Sequence, residues 1–162
     1  RRLTVARGLV NDPKVLILDE PTTGLDPQAR HLIWDKIREL KKSGVTVVVT
    51  THYMDEAQQL CDRLVIMDEG KILVQGKPLD LVNEHVGNGV VEIINPTDEE
   101  EAYVRSKGMK EERAGDRLYI YTDENQATRM ALLERFPGAN IAIRDATLED
   151  VFLKLTGRGL KD

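Results

Sequence analysis

The sequence has little cysteine, few aromatic residues and no long apolar run. Its 162 residues include one cysteine, Cys61, which excludes an internal disulfide framework and fits a reducing compartment. The apolar runs stop well short of the ~18 residues that a membrane-spanning helix needs. Aromatic residues make up 4% of the chain, but leucine, valine and isoleucine are plentiful, so disorder is not expected. The net charge of −5 argues against broad binding to phosphate backbones, and we expect no nucleic-acid partner.

The N-terminal end lacks an initiator methionine and a signal peptide. Apolar residues already follow helical spacing there, at Leu3, Ala6 and Val10. This spacing predicts a helix from residue 1 to about residue 11, ended by Pro13. Because nothing near the first residue resembles a helix N-cap, we expect these residues to belong to a longer protein.

Short apolar strands alternate with amphipathic helices over the first 86 residues. The predicted strands are Val15–Leu18, Val45–Thr50 and Leu64–Met67, and a hairpin turn at Glu69-Gly70-Lys71 follows the third. Continuous apolar strands are typical of a parallel sheet that is buried on both faces. With a long helix from Pro27, the pattern predicts an α/β fold, a partial three-layer unit around a mostly parallel sheet.

A different pattern follows Gly87-Asn88-Gly89, which we interpret as a linker. The elements after it are predicted in the order βαββαβ with a terminal helix, which is the ferredoxin-like order. Thr97 and Glu100 form a capping-box signature for the first of these helices, and Thr147 and Asp150 are predicted to cap the last. The sequence therefore predicts two domains, 1–86 and 87–162, of which the second is a small α+β domain.

Two adjacent carboxylates, Asp19 and Glu20, follow the first predicted strand. In open α/β sheets, ligands bind outside the carboxyl ends of the strands. An acid at that position can hold Mg²⁺ through its water shell, and a neighbouring acid can orient or deprotonate an attacking water. Two acids that merely end a strand would be an ordinary turn, but here Pro-Thr-Thr-Gly-Leu-Asp-Pro follows them at residues 21–27.

This stretch resembles the ATP-binding cassette (ABC) family of transport ATPases. Leu18-Asp19-Glu20-Pro21 looks like the family's Walker B strand with its catalytic acid, Gly24-Leu25-Asp26 like the D-loop, and His52 like the switch histidine. Residues 1–10 resemble the helix that continues the signature motif. The resemblance covers about residues 1–86 and implies the later half of a P-loop NTPase sheet.

The resemblance also implies roles for four side chains. Asp19 would bind Mg²⁺, mostly through water, and Glu20 would be the general base for the hydrolytic water. His52 would contact the γ-phosphate, and Asp26 would act across a dimer interface. The cofactors implied for the full-length protein are ATP and Mg²⁺.

The sequence lacks a phosphate-binding loop, since no Gly-x-x-x-x-Gly-Lys-Ser/Thr occurs in it. The family's glutamine loop and Ser-Gly-Gly signature are missing as well. We therefore expect these 162 residues alone neither to bind ATP tightly nor to hydrolyse it.

Further motifs resemble ATPases of the ABC-2 exporter branch, which serve drug, antibiotic, polysaccharide or Nod-factor-like export. They lie at Thr51–Ala57, Cys61–Arg63, Gly70–Ile72, Gly76–Pro78 and Thr147–Gly157. The implied partners are membrane permease subunits and a second ABC ATPase domain, at the cytoplasmic face of the cell membrane. In the same branch a small accessory domain follows the ATPase domain, as the pattern after residue 87 predicts.

Two other functions remain open at this point. One is a soluble ABC ATPase outside transport, and the other is a regulatory or dimerisation role for the tail domain. Because the strand before His52 would lack its phosphate-loop neighbour, we also expect the fragment to self-associate through an exposed sheet edge.

Overall fold

The computed structural model describes residues 11–156. It is an α/β structure, and its helices and strands are, in chain order, β1 (Val15–Asp19), α1 (Pro27–Lys42), β2 (Thr46–Thr50), α2 (Met54–Leu60), β3 (Leu64–Asp68), β4 (Lys71–Gly76), α3 (Pro78–His85), β5 (Gly89–Ile94), α4 (Asp98–Ser106), β6 (Lys110–Ala114), β7 (Arg117–Thr122), α5 (Asn125–Arg135), β8 (Ile141–Asp145) and α6 (Leu148–Thr156). The chain divides into two units between Asp62 and Arg63. The helix predicted over residues 1–11 lies almost wholly outside the described residues.

In the first unit, β1 and β2 pair in parallel, with Val15 opposite Thr46 and Asp19 opposite Thr50. The helix α1 lies against one face of this pair, because its apolar stripe meets the side chains that alternate along each strand. The core consists of side chains from both strands and both helices: Leu16, Leu18, Ile33, Trp34, Ile37 and Leu60, with Val47 and Val49 packed against them.

The other face of this sheet is exposed. Ile17 on β1 keeps 71% of its surface accessible, and Val48 on β2 keeps 47%. The prediction that the apolar strand is buried on both faces is therefore wrong for the residues described. The physical reason is that α1 and α2 supply apolar partners for alternate residues only, while Val15 and Ile17 point away from them.

The second unit begins with a hairpin of β3 and β4, which pair antiparallel in a sheet of their own. Glu69 and Gly70 both adopt positive φ, at 47° and 75°, as the turn of a tight hairpin requires. The predicted hairpin is confirmed. The predicted third strand of a mostly parallel sheet, however, pairs with β4 and not in parallel with the first two, since the tight turn directs its hydrogen bonds to the returning strand.

A four-stranded antiparallel sheet forms the remainder of the second unit, in the order β6-β7-β5-β8. One face packs against α4 and α5 around a core of Val91, Ile93, Val104, Leu118, Ile120 and Leu132. The predicted capping box is present on α4, where Thr97 and Glu100 exchange hydrogen bonds with each other's backbone amides. The element order of this region is thus βαββαβ followed by α6.

The terminal helix α6 is fastened to the sheet by Arg144. The guanidinium donates to both carboxylate oxygens of buried Asp150, at 2.7 and 2.6 Å, and also to Glu92. These hydrogen bonds, first of all those to Asp150, raise the pKa of Arg144 above its ordinary value. Asp150 also accepts from the backbone amide of Thr147 at 2.8 Å, which confirms the predicted cap.

The predicted linker lies within the second unit. The Gly87 amide donates to the Val82 carbonyl at 3.0 Å, and the Asn88 amide donates to Asp123 at 2.8 Å. Gly89 is already the first residue of β5, and a Cβ there would lie 1.9 Å from the Asn125 amide nitrogen. Helix α3 packs against α6 in this unit. Among residues 11–156, no helix combines the length and the apolar character needed to cross a membrane.

Candidate functional site

The site lies at the carboxyl ends of the two parallel strands. Their one-to-one register places Asp19 directly opposite Thr50, and the Thr50 hydroxyl donates to the Asp19 carboxylate. Both side chains belong to exposed residues. In a sheet of this kind, the edge at which the strands end is where ligands bind.

Glu20 is held in an unusual backbone conformation immediately after β1. Its φ is +44°, a region that residues other than glycine seldom occupy. Its amide donates to the Thr50 carbonyl at 2.9 Å, which extends the strand pairing by one bond. The hydroxyl of Thr23 donates to Glu20 Oε2 at 2.8 Å. The carboxylate is thereby anchored through one oxygen.

The second oxygen of this carboxylate contacts the predicted switch histidine. His52 Nδ1 lies 3.0 Å from Glu20 Oε1. An ionised carboxylate only accepts hydrogen bonds, so the imidazole Nδ1 donates in this contact. The Tyr53 ring lies against the imidazole, with ring centroids 4.1 Å apart. Sequence separation between these two site residues is large, yet the parallel register of β1 and β2 brings them into contact.

Asp26 lies elsewhere, at the start of α1. It is the N-cap of α1, accepting a hydrogen bond from the Ala29 amide at 2.9 Å, with Pro27 at the first helical position. The structure thus brings Asp19, Glu20 and His52 together. It places Asp26 at the end of the loop that connects β1 to α1.

A buried cluster next to the site escaped the sequence analysis. Glu56 on α2 accepts hydrogen bonds from Thr22 and from the indole of Trp34. Thr22 and Glu56 are almost completely buried. The available signal was the position of Glu56 four residues before Leu60, which places both side chains on one face of the helix.

The donor set is compatible with a phosphate-bound Mg²⁺. Within residues 11–156, no group of three or more His, Cys, Asp or Glu side chains is arranged to hold a metal ion. Mg²⁺ at nucleotide sites needs no such cage, since it takes one or two carboxylates and fills its other positions with water and phosphate oxygens. The exposed carboxylate of Asp19 at a strand end fits that requirement.

Comparisons with known proteins give two family-model matches, one in the first third and one in the last part of the chain. Residues 98–157 match a family model described as the C-terminal domain of the nodulation factor export protein NodI. Residues 3–54 match a model described as an AAA domain, putative AbiEii toxin, Type IV TA system. The solved structure of cbiO1 from Clostridium perfringens, part of an ABC transporter complex, is 42% identical over 51% of this chain and 34% of its own, with a TM-score of 0.47.

The alignments with curated relatives cover nearly the whole chain. Nod factor export ATP-binding protein I of Neorhizobium galegae is 48% identical over 163 residues, covering 99% of this chain and 46% of that protein. The protein of the same name from Burkholderia lata is 47% identical over 167 residues, covering 100% of this chain and 53% of its own length. The chain therefore spans about half the length of the curated relatives it matches. On these matches, the chain is similar over its whole length to about half the length of the ATP-binding subunits of ABC exporters, and residues 98–157 are similar to their C-terminal domain.

Proposed function

We propose that these residues form part of an ATP-hydrolysing, energy-coupling subunit of an ABC transporter. The observation that carries the proposal is the contact of 3.0 Å between Glu20 and His52, beside Asp19 at the strand ends. Phosphoryl transfer depends mainly on positioning and on charge stabilisation, and these three side chains supply groups of both kinds.

Glu20 is the proposed general base for the attacking water. Thr23 and His52 each contact one of its two oxygens, which restricts the direction in which the carboxylate faces. A base must lie within hydrogen-bond reach of the proton that it removes, so this orientation matters more than basicity alone. His52 is proposed to contact the γ-phosphate and to keep the water and Glu20 aligned.

Asp19 is proposed to hold Mg²⁺, mostly through water, in the full-length protein. When bound, the ion neutralises charge on the nucleotide phosphates. Asp26, already committed to the α1 cap, is proposed to act across a dimer interface between two ATPase domains. Residues 1–162 alone are proposed to be inactive, because a phosphate-binding loop is absent from the sequence.

The proposed setting is an exporter at the cytoplasmic face of the cell membrane. The names of the relatives, which refer to Nod factor export and ATP binding, support this choice. The proposed partners are membrane permease subunits and a second copy of the ATPase domain. We assign residues 1–86 to the ATPase domain and 87–162 to a ferredoxin-like accessory domain, supported by the β6-β7-β5-β8 strand order of its antiparallel sheet.

The proposal is tested by Glu20→Gln in the full-length protein that contains these residues. The variant is expected to lower kcat for ATP hydrolysis by about 10²–10⁴-fold, the usual contribution of a general base, with ATP binding retained. Glu39→Gln, which alters an exposed glutamate on α1, is the matched control and should retain full activity. Residues 1–162 alone should give no hydrolysis. Undiminished hydrolysis by Glu20→Gln would refute the assignment.

A further inference from the structure

Glu56 is a buried carboxyl group that joins three segments of the first unit. It is 1% exposed on α2. Its Oε1 accepts a hydrogen bond from Thr22 Oγ1 at 2.8 Å and another from Trp34 Nε1 at 2.9 Å. Thr22 lies in the loop that follows β1, and Trp34 lies on α1. One oxygen atom thus holds the loop and both helices together.

The other carboxyl oxygen of Glu56 makes no hydrogen bond with any described residue, although it is buried. A buried polar atom without a partner costs free energy. A side chain whose purpose was only to fill this space would be better apolar. The contribution of Glu56 therefore lies in the two hydrogen bonds that Oε1 accepts and in the segments that these bonds connect.

Those segments carry the two groups of the site. Thr22 stands two residues after Glu20, and the next residue, Thr23, donates to the Glu20 carboxylate. His52 lies in the loop of residues 51–53, here called the histidine loop, and Glu56 stands four residues after it, on the helix α2 that begins directly after this loop. The bond from Thr22 to Glu56 consequently links the loop of the proposed base to the helix that follows the loop of the proposed phosphate contact.

A stack of side chains connects the same two regions independently. The Arg30 guanidinium lies 4.7 Å above the centroid of the Tyr53 ring. The Tyr53 ring in turn lies against the imidazole of His52. Arg30 belongs to the first turns of α1, the helix capped by Asp26. Both links therefore run from α1 and its preceding loop to the segment formed by the histidine loop and α2.

We propose that Glu56 is a positioning residue for ATP hydrolysis, which keeps Glu20 and His52 in contact by fixing Thr22 and Trp34 to α2. The inference rests on the proposed function of this site. Glu56 is buried beneath the loops and does not itself reach the exposed strand ends. Its effect is on the alignment of the reacting groups, and a displacement of about 1 Å at such a site can cost a large factor in rate.

The test compares Glu56→Ala, Glu56→Gln and Thr22→Val in the full-length protein. Glu56→Ala removes both hydrogen bonds and should lower kcat by about tenfold or more, with KM for ATP within about threefold of the original. Glu56→Gln retains an acceptor oxygen, so its kcat should lie within about fivefold of the kcat of the original protein. Thr22→Val removes one donor at nearly constant volume and should lower kcat less than Glu56→Ala. Gln59→Ala, an exposed change on α2, is the control.

A second measurement follows the contact itself in residues 1–162. Trp34 is the one tryptophan of the sequence, so its emission reports on the bond to Glu56. Glu56→Ala should shift this emission and speed amide exchange at Thr23 and Leu25, while exchange within β2 stays unchanged. Exchange accelerated equally in β2 would indicate general loss of structure, and Thr22→Val then decides. Original kcat in both Glu56→Ala and Thr22→Val would overturn the positioning role, whereas full activity of Glu20→Gln would overturn the proposed function instead.

Discussion

Tyr121 is a buried side chain whose hydroxyl has no hydrogen-bond partner among the described residues. Burial raises the pKa of its phenol above the ordinary value, and burial also raises the pKa of Tyr119 on the same strand. Below about pH 10, both the folded and the unfolded chain keep these phenols neutral. Above it, the unfolded chain loses protons that the folded chain retains, so the free energy of unfolding falls as pH rises.

We therefore expect Tyr121→Phe to weaken the alkaline loss of stability. At neutral pH the variant should be as stable as the original or up to about 1 kcal/mol more stable, because an unpaired buried hydroxyl is removed. Urea unfolding followed by circular dichroism, at neutral pH and above pH 10, measures both effects. Tyr119→Phe is the comparison, and the double variant should flatten the pH dependence further. A marked loss of stability at neutral pH would mean that the hydroxyl has a partner after all.

At the scale of a single helix, Asp26 has a structural task that is separable from its proposed dimer role. Its carboxylate caps α1, and Asp26→Ala should lower the free energy of unfolding of the first unit by about 1 kcal/mol. Asp26→Asn keeps a capping oxygen and should stay within a few tenths of a kcal/mol. Trp34 fluorescence during urea unfolding measures both, since Trp34 lies on this helix.

Activity of the full-length protein then separates the two tasks. If charge across the dimer interface matters, Asp26→Asn lowers ATP hydrolysis while stability is unchanged. Equal activity of Asp26→Asn and the original protein would contradict the role across the dimer and leave the cap as the whole contribution of this residue.

Local elements of this chain were predictable because their signals lie within a few residues. The capping box of Thr97 and Glu100 and the turn at Glu69-Gly70 depend on neighbours in sequence, and both are present as predicted. The burial of β1 was not predictable from its own residues. A run of four apolar side chains indicates that both faces of the strand could be buried. Whether a face is buried depends on the side chains that pack against it, and one face of β1 is exposed.

The candidate site likewise contains residues that could be predicted from the sequence and residues that could not. Asp19 and Glu20 could be proposed from their position at a strand end, and His52 from the resemblance of its motif to the ABC family, because strand ends meet at one edge of a parallel sheet. The cluster of Glu56, Thr22 and Trp34 could not be proposed in this way. Glu56 is separated in sequence from Trp34 by 22 positions and from Thr22 by 34 positions. Contacts of that range depend on how α1 and α2 pack, which the local pattern does not encode.

At the scale of the whole molecule, the exposed face of the first sheet predicts association between copies of this chain. Ile17 and Val48 present apolar surface, and among the described residues β2 is paired on one side only, by β1. An apolar strand with free backbone groups is a template for pairing with another chain. Residues 1–162 should therefore show a mass that rises with concentration in sedimentation experiments.

Val48→Lys should reduce this association, because a charge on an edge strand must be desolvated when a second chain pairs with it. Met130→Glu, which places a charge at an exposed apolar residue of α5 in the other unit, is the matched control and should leave association unchanged. In the full-length protein the same Val48→Lys change should instead lower stability, if the remaining half of the ATPase domain covers this face. A monomer at every concentration, in the original chain as in the variant, would refute association through the sheet.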